Sequence, residues 1–274
     1  MTTVETPPIT RSYQVAPETF VVPWHLQAPP VGYICMNSLV IRGAEPILVD
    51  TGSPANRAEW LDSVFSLVEP EDVKWIFLSH DDRDHAGNLL QVLDACPNAT
   101  LLTTWFSIGR MAEEWMTPIH RCRFVNEGDR IDAGDRTFAA IRPPLFDNPT
   151  TRGLFDDRTG VFWAVDTFAC PVPVPMQGVG DLSDAEFAEG QLLGARLVSP
   201  WHQWIDEERW GAYVQRIRDL PINVVASCHA PTIDGGRIDR AFELLETVPS
   251  AAPWQPFTQA DLDLWMAAAE AGPQ

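Results

Sequence analysis

The residues best suited to chemistry stand together in the stretch Ser79-His80-Asp81-Asp82-Arg83-Asp84-His85-Ala86-Gly87-Asn88. Four potential metal ligands, His80, Asp82, Asp84 and His85, fall within six residues. Imidazole nitrogens and carboxylate oxygens are common protein ligands of metal ions. Capping of a following helix would explain one carboxylate, but not the whole His-x-Asp-x-Asp-His pattern. The pattern therefore predicts a metal site.

The elements around this cluster place it at a strand end. The run from Val73 to Leu78 is short, apolar and partly aromatic, which is typical of a buried strand. From Ala86 to Ala95, Leu89, Leu90 and Leu93 recur at helical spacing. The cluster thus connects the carboxyl end of a strand to a helix, and α/β folds bind their ligands at that edge.

Four segments together resemble the metallo-β-lactamase superfamily. The cluster is similar to the family signature His-x-His-x-Asp-His, and Leu48-Val49-Asp50-Thr51-Gly52 resembles the strand and turn before it. Trp163 to Thr167 resembles the strand that ends in the family's bridging aspartate, and Ser227 to Pro231 resembles the segment with its last histidine. The resemblance extends over most of the chain. It implies an α/β fold, the metallo-β-lactamase-like αβ/βα four-layer sandwich.

Two positions depart from the hydrolases of this superfamily. Asp82 stands where they have a second histidine, and this form resembles the His-x-Glu-x-Asp-His of the oxygen-reactive di-iron branch, which includes flavodiiron proteins and some natural-product oxygenases. No histidine lies between Arg121 and Val165, where the family's third metal-binding histidine is expected. Aligning the loop from Pro144 to Pro149 by its length puts Asp147 at that position.

The resemblance implies a ligand set of three imidazoles and four carboxylates. One metal would bind His80, Asp82 and Asp147, the other would bind Asp84, His85 and His229, and Asp166 would bridge them. Four carboxylates balance the charge of two divalent ions and ease access to a trivalent state, so they favour iron or manganese over zinc. The same negative charge makes metal-bound water a weaker acid, which disfavours hydrolysis.

This donor set favours a dinuclear non-haem iron oxidoreductase that reacts with O2 and a small-molecule substrate. Its cofactors would be two metal ions, iron first and zinc or manganese as the alternatives. No fused flavin site is expected, because the segment after His229 is too short for the flavodoxin-like domain of flavodiiron proteins. Electrons would then come from the substrate or from a separate electron donor.

Two other functions stay open on the sequence. The first is a dinuclear zinc or manganese hydrolase of an ester, lactone, thioester or phosphodiester, in which a bridging hydroxide attacks. The second is a one-metal or metal-free binding protein, because the side chain of Asp147 could be too short to reach an ion.

Composition limits the partners. Residues 1–20 mix Thr, Glu and Pro and predict an N-terminal tail, followed by a single domain over residues 21–274. A net charge of −19 argues against nucleic acid and anionic lipid as partners. No stretch approaches the roughly 20 apolar residues of a membrane span. The 5 scattered cysteines without a Cys-x-x-Cys pair favour a reducing cytoplasm, and the resemblance implies that a homodimer could form.

Residues beside the ligand set are given supporting roles. Asp50 is expected to orient the ligand loop, as its family counterpart does. Asp81 and Arg83 alternate with the ligands and should point away from the metals. Cys228 is expected to pack in the core. His202 lies in an aromatic cluster that could line a pocket or simply pack.

Overall fold

The computed structural model describes residues 11–271, and it describes side chains up to residue 267. Two β-sheets pack face to face, and helices cover the outer face of each sheet. The predicted αβ/βα four-layer sandwich is confirmed.

The first sheet and an adjoining hairpin use the first nine strands. They are β1 (Tyr13–Ala16), β2 (Thr19–Val22), β3 (His25–Ala28), β4 (Gly32–Cys35), β5 (Ser38–Ile41), β6 (Ile47–Val49), β7 (Trp75–Phe77), β8 (Thr100–Thr103) and β9 (Cys122–Phe124). The sheet order is β1-β2-β5-β6-β7-β8-β9, and β3 pairs only with β4 among the described residues. From β6 to β9 the neighbours are parallel, so their carboxyl ends share one edge.

The second sheet follows the chain order. Its strands are β10 (Arg130–Asp132), β11 (Thr137–Ile141), β12 (Gly153–Asp156), β13 (Val161–Trp163), β14 (Val224–Ser227) and β15 (Ala230–Asp234). Neighbouring strands are antiparallel except β13 and β14, which are parallel because two helices lie between them in the chain.

Most of the described helices lie in the two outer layers. They are α1 (Arg57–Phe65), α2 (Arg83–Ala86), α3 (Leu89–Ala95), α4 (Trp105–Met111), α5 (Asp184–Val198), α6 (Glu207–Arg218), α7 (Gly236–Glu246) and α8 (Gln259–Ala271). Short 3-10 turns lie at Pro54–Asn56, Pro70–Asp72, Ile119–Arg121, Val179–Asp181, Pro200–Trp204 and Val248–Ser250. Residues of α1, α3 and α4 pack on the first sheet, whereas residues of α5, α6 and α7 pack on the second. None of the described helices is long and apolar enough to cross a membrane.

The core lies in three apolar layers because the central strands are apolar on both faces. In β6, Ile47 and Val49 face the second sheet while Leu48 faces the helices. Phe77 of β7 and Trp163 of β13 both lie in the layer between the sheets. Strands covered on both faces read as continuous apolar runs, and this pattern made them recognisable in the sequence.

The predicted N-terminal tail of residues 1–20 is too long. Residues 1–10 lie outside the described part, but β1 and β2 form an antiparallel hairpin at the sheet edge. Its turn holds Glu18 at a φ of 61°. The Thr-, Glu- and Pro-rich composition hid this hairpin, since its two four-residue strands are too short for a clear alternation. We propose that the hairpin and residues 21–274 form a single domain, because both sheets contribute to one shared apolar layer.

The segment from Val21 to Pro30 contains β3, which pairs with β4 although three prolines lie in this segment. In the segment from Trp163 to Thr167, which resembles a family strand, β13 ends at Trp163. It ends there because Val165 takes a left-handed φ of 57°, which a strand cannot accommodate.

Helix α5 packs closely on the segment that follows β13. A Cβ atom at Gly194 would overlap the carbonyl oxygen of Ala169, and a Cβ atom at Gly190 would lie 2.6 Å from Cys170 Sγ. By contrast, a Cβ atom at Gly211 on α6 would meet no atom within 4 Å. The two helices therefore use glycine for different reasons.

Gly194→Ala should lower the free energy of unfolding by about 1–3 kcal/mol, since the added methyl group must displace backbone. The matched change Gly211→Ala should raise it by roughly 0.5–1 kcal/mol, because it only removes the conformational freedom of a helical glycine. Urea unfolding of both variants checks this pair. Equal stability of Gly194→Ala and the wild type would contradict the close packing.

Candidate metal centre

The predicted ligands converge at one edge of the sandwich, where strands of both sheets end. The segment from His80 to His85 follows β7, Asp166 follows β13, and His229 lies between β14 and β15. Asp147 comes from the loop between β11 and β12. Because β6 and β7 are parallel, as are β13 and β14, their carboxyl ends bring these residues together.

The first ligand group contains His80, Asp82 and Asp147. His80 Nε2 lies 3.5 Å from Asp82 Oδ2 and 3.9 Å from Asp147 Oδ1. His80 is buried, whereas the side chain of Asp147 is 47% exposed. The loop of Asp147 is nevertheless anchored, since the backbone N–H of Phe146 donates to Ser199 Oγ at 3.1 Å.

The second ligand group contains Asp84, His85 and His229. Asp84 Oδ2 lies 3.5 Å from His85 Nε2 and 3.3 Å from His229 Nε2. The three donor atoms thus surround one position, as the sequence analysis expected for the second metal.

Asp166 lies between the two groups. Its Oδ2 is 3.9 Å from His80 Nε2, while its Oδ1 is 3.4 Å from the Nε2 atoms of both His85 and His229. Each oxygen therefore faces a different group, which is the arrangement required of a bridging carboxylate. The side chain is only 1% exposed.

The residues fit a pair of metal ions. Both oxygens of Asp166 and Nε2 of His85 are buried without a hydrogen-bond partner among the described residues. Leaving such groups unpaired costs free energy, and a coordinated cation would remove that cost. The donor atoms are also separated by distances suited to ligands that share an ion at about 2 Å.

The three imidazoles are held by their other ring nitrogen. Nδ1 of His85 is 2.8 Å from Asp50 Oδ2, and Nδ1 of His229 is 2.9 Å from the carbonyl oxygen of Cys35. Because both partners only accept, each Nδ1–H donates and each Nε2 keeps its lone pair for a metal. Nδ1 of His80 lies 3.2 Å from Ser79 Oγ.

Asp50 connects the ligand loop to both sheets. Its carboxylate accepts from the backbone N–H of Ser79 at 2.7 Å, from Ser79 Oγ at 2.8 Å and from Trp163 Nε1 at 3.2 Å, besides contacting His85. Trp163 belongs to the second sheet and Ser79 follows the first. The orienting role expected for Asp50 thus has a geometric basis.

Asp82 is held so that one oxygen faces His80. Asn148 Nδ2 donates to Asp82 Oδ1 at 2.8 Å and leaves Oδ2 directed at the centre. Asp82 occupies the N-cap position of α2 but makes no side-chain capping bond, so capping does not account for it.

Asp81 and Arg83 point away from the ligands, as predicted. Asp81 accepts from Arg110 Nε at 2.7 Å and from Thr150 Oγ1 at 2.9 Å. Arg83 pairs with Glu114 at the surface. Their alternation with the ligands follows from the geometry of the loop that leads into α2.

Burial and charge set the protonation of the cluster. Partial burial and the nearby Asp166 carboxylate raise the pKa of Asp147 to about 6. Burial also opposes ionisation of Asp166, but His80, His229 and His85 hold its pKa well below the usual value. Burial opposes charging of His85 and His229, yet Cys228 and the surrounding carboxylates raise both pKa values well above normal. The cluster therefore favours positive charge, which metal ions would supply.

Cys228 is a neighbour that sequence reasoning set aside. It is fully buried, as expected, but its Sγ lies 4.0 Å from Asp84 Oδ2 and close to the other donors of the second group. Its position next to His229 in the sequence could have indicated that Cys228 lies near the metal centre. His202 is also fully buried, and it belongs to none of the described groups of candidate ligands.

A strained residue precedes the bridging carboxylate. Val165 has a φ of 57°, which for a β-branched residue costs on the order of 1–3 kcal/mol. Its carbonyl oxygen accepts from Ser227 Oγ at 2.7 Å and from the backbone N–H of Cys228 at 2.8 Å. These bonds from the adjacent strand hold the turn that directs Asp166 into the centre.

Comparison with known proteins identifies the family. A family model described as ODP family beta lactamase matches residues 34–230. The chain belongs to this ODP family. Since that match covers most of the chain, the resemblance to the metallo-β-lactamase superfamily and its di-iron branch is confirmed.

Curated relatives of the ODP-family chain are much longer proteins. The chain is 29% identical over 206 residues to the putative diflavin flavoprotein A 3 of a Nostoc species. The aligned region covers 72% of this chain and 33% of the relative. The chain is 24% identical over 197 residues to the anaerobic nitric oxide reductase flavorubredoxin of Pectobacterium atrosepticum, which covers 70% of this chain and 38% of the relative. The chain thus spans well under half of their length.

Solved structures share the fold. The rubredoxin oxygen:oxidoreductase from Desulfovibrio gigas superposes with a TM-score of 0.77 at 14% identity, covering 89% of this chain and 63% of that chain. The flavodiiron protein from Giardia intestinalis gives a TM-score of 0.74 at 15% identity, covering 89% of this chain and 60% of that chain. At such identities the likeness shows the fold alone.

Asp50→Asn should weaken metal binding by about 10–100-fold, since an amide cannot accept from all the groups that Asp50 now holds, including His85 Nδ1–H. Asp94→Asn, an exposed change on α3, is the matched control and should leave metal affinity unchanged. Metal content after dialysis against graded chelator gives the measurement. Retention by Asp50→Asn equal to that of the control would show that Asp50 does not orient the ligands.

Proposed function

We propose that the ODP-family chain is a dinuclear non-haem iron oxidoreductase that reduces O2 and oxidises a small organic substrate. The observation that carries this proposal is the placement of Asp82 and Asp147 around His80 Nε2. With Asp84 and Asp166 they make four carboxylates against three imidazoles. Such a hard, anionic donor set suits iron that changes valence.

Bound as an iron pair, the centre would supply reversible one-electron steps between ferrous and ferric states. The chain supplies the fixed surroundings. Asp166 keeps one oxygen toward each ligand group, and Asp50 and the Cys35 carbonyl keep His85 and His229 from turning. The four carboxylates offset the charge that builds up when the centre is oxidised.

Electrons and protons must balance in this reaction. Full reduction of O2 to two water molecules consumes four electrons and four protons. If one oxygen atom enters the substrate, the substrate provides two of these electrons and a separate electron donor provides the other two. A charged cavity of about 370 Å³, lined also by Arg83 and Arg110, borders the candidate ligand Asp82, and we propose that protons reach the centre from this side.

The names of the relatives support this proposal. They describe an oxygen:oxidoreductase and a nitric oxide reductase, so related chains are named for reactions of small diatomic molecules. The relatives are also called flavoproteins, and their additional length leaves room for parts that deliver electrons. We propose that an electron donor also serves the centre of this chain.

Asp82→His should lower iron retention and O2 uptake by about 10-fold or more, because a neutral nitrogen replaces an anionic oxygen at the first group. Asp82→Glu keeps the carboxylate and is the matched control, with near-normal iron content expected. Iron per chain and O2 consumption by the chemically reduced protein give the readout. Equal or greater O2 uptake by Asp82→His would overturn the proposal.

A zinc hydrolase is the second candidate, and Cys228 is the observation that favours it. A thiolate next to Asp84 and His229 would give the second group a soft ligand, and soft ligands select zinc. Metal-bound hydroxide would then attack an ester, lactone, thioester or phosphodiester.

Cys228→Ser separates the two candidates. In the iron protein the thiol is only a buried neighbour, so the variant should retain two irons per chain. In a zinc enzyme the variant should lose about one zinc ion per chain. The number of metal ions per chain, measured by elemental analysis of the wild type and Cys228→Ser after loading with iron or with zinc, decides between the two candidates. Thermal melting confirms that the variant is folded.

A further inference from the structure

An apolar cavity borders both halves of the metal centre. Its volume is about 230 Å³, and the walls include the ligands Asp147 and His229. The other walls are apolar, with Ile34 and Met36 from the hairpin side and Leu197 and Val198 from the end of α5.

The position of this cavity matches that of a reacting molecule. Asp147 belongs to the first ligand group and His229 to the second. A molecule in the cavity would therefore lie against both groups at once. The charged cavity beside Asp82 also adjoins the centre, but among its walls only Asp82 is a candidate ligand.

The walls determine the chemistry of the occupant. Apart from Asp147 and His229, none of the described residues that line the cavity is charged. A charged group bound there would lose hydration without gaining a partner, which is costly. An apolar cavity of about 150 Å³ suffices for benzene, so 230 Å³ accommodates a somewhat larger apolar molecule.

The two cavities beside the centre differ in polarity and therefore suit different molecules. The charged cavity carries Asp81, Arg83, Arg110 and Glu114 on its walls and suits water and protons. The apolar cavity lies on the side of α5 and β4 and offers few groups that could bind water. An organic molecule and the proton supply would thus reach the centre by different routes.

We infer that the apolar cavity binds a small, uncharged organic molecule with one or two rings as the substrate of the centre. This inference rests on the proposed function, because it names the class of molecule that the di-iron centre oxidises. It adds a specificity determinant, formed by the walls at Ile34 and Val198, that is separate from the metal ligands.

Indole, an uncharged two-ring molecule, is the probe for this cavity. Titration calorimetry of the iron-loaded full chain should show indole binding. Val198→Trp fills the cavity and should weaken binding at least 10-fold. Val174→Trp makes the same change at a 43% exposed site that does not line the cavity, and binding should stay within twofold of wild type.

A second variant and a second signal guard against misfolding. Ile34→Trp fills the cavity from the opposite wall and should also weaken indole binding at least 10-fold, with unchanged iron content and melting temperature as proof of folding. Indole should also shift the visible and near-infrared absorption bands of iron in the wild type, since the bound molecule touches residues of both ligand groups. Absence of that shift would place indole elsewhere.

Several outcomes would overturn the inference. They are equal indole affinity in the wild type and both filled variants, binding of indole-3-carboxylate as tight as that of indole, or displacement of indole by a flavin mononucleotide that itself occupies the cavity. Iron content and O2 uptake without indole test the proposed function alone. If the chain retains zinc rather than iron, the same titration on the zinc-loaded chain still tests the cavity.

Discussion

Burial of the Asp166 carboxylate among three imidazoles is the constraint on which the site depends. Its two oxygens face different ligand groups, and neither has a hydrogen-bond partner among the described residues. A buried, unpaired carboxylate is stable only beside positive charge. The chain keeps it in place through the left-handed turn at Val165, whose strain the bonds from Ser227 and Cys228 offset.

Both sheets of the sandwich position candidate ligands at the edge where their strands end. The first sheet delivers His80 to His85 and the second delivers Asp166 and His229. Asp50 joins the two, because it contacts His85 on one side and accepts from Trp163 on the other. The geometry of the candidate ligands is thus coupled to the packing of the two sheets. A substitution in the core between the sheets is expected to change the position of His85.

The fold and the candidate ligand set were predicted from four segments that resemble the metallo-β-lactamase superfamily, and local patterns placed these segments at the ends of strands. Apolar runs marked the strands, and the polar residues directly after them marked the edge. The β1–β2 hairpin was not predicted because its four-residue strands are too short to show a clear alternation of apolar and polar residues. Three features depend on contacts between distant segments, which no spacing rule predicts. They are the hydrogen bond from Asn148 to Asp82, the position of Cys228 near Asp84, and the apolar cavity between β4 and the end of α5.

The central claim is that hard, anionic donors hold a pair of iron ions around Asp166. Crystals of the iron-loaded protein, measured above and below the iron absorption edge, test it most directly. We predict two anomalous peaks about 3.5–4 Å apart, one on each side of the Asp166 carboxylate, with Asp82 and Asp147 bound to the same ion as His80. A single peak, or two peaks with Asp82 and Asp147 turned toward solvent, would contradict the account.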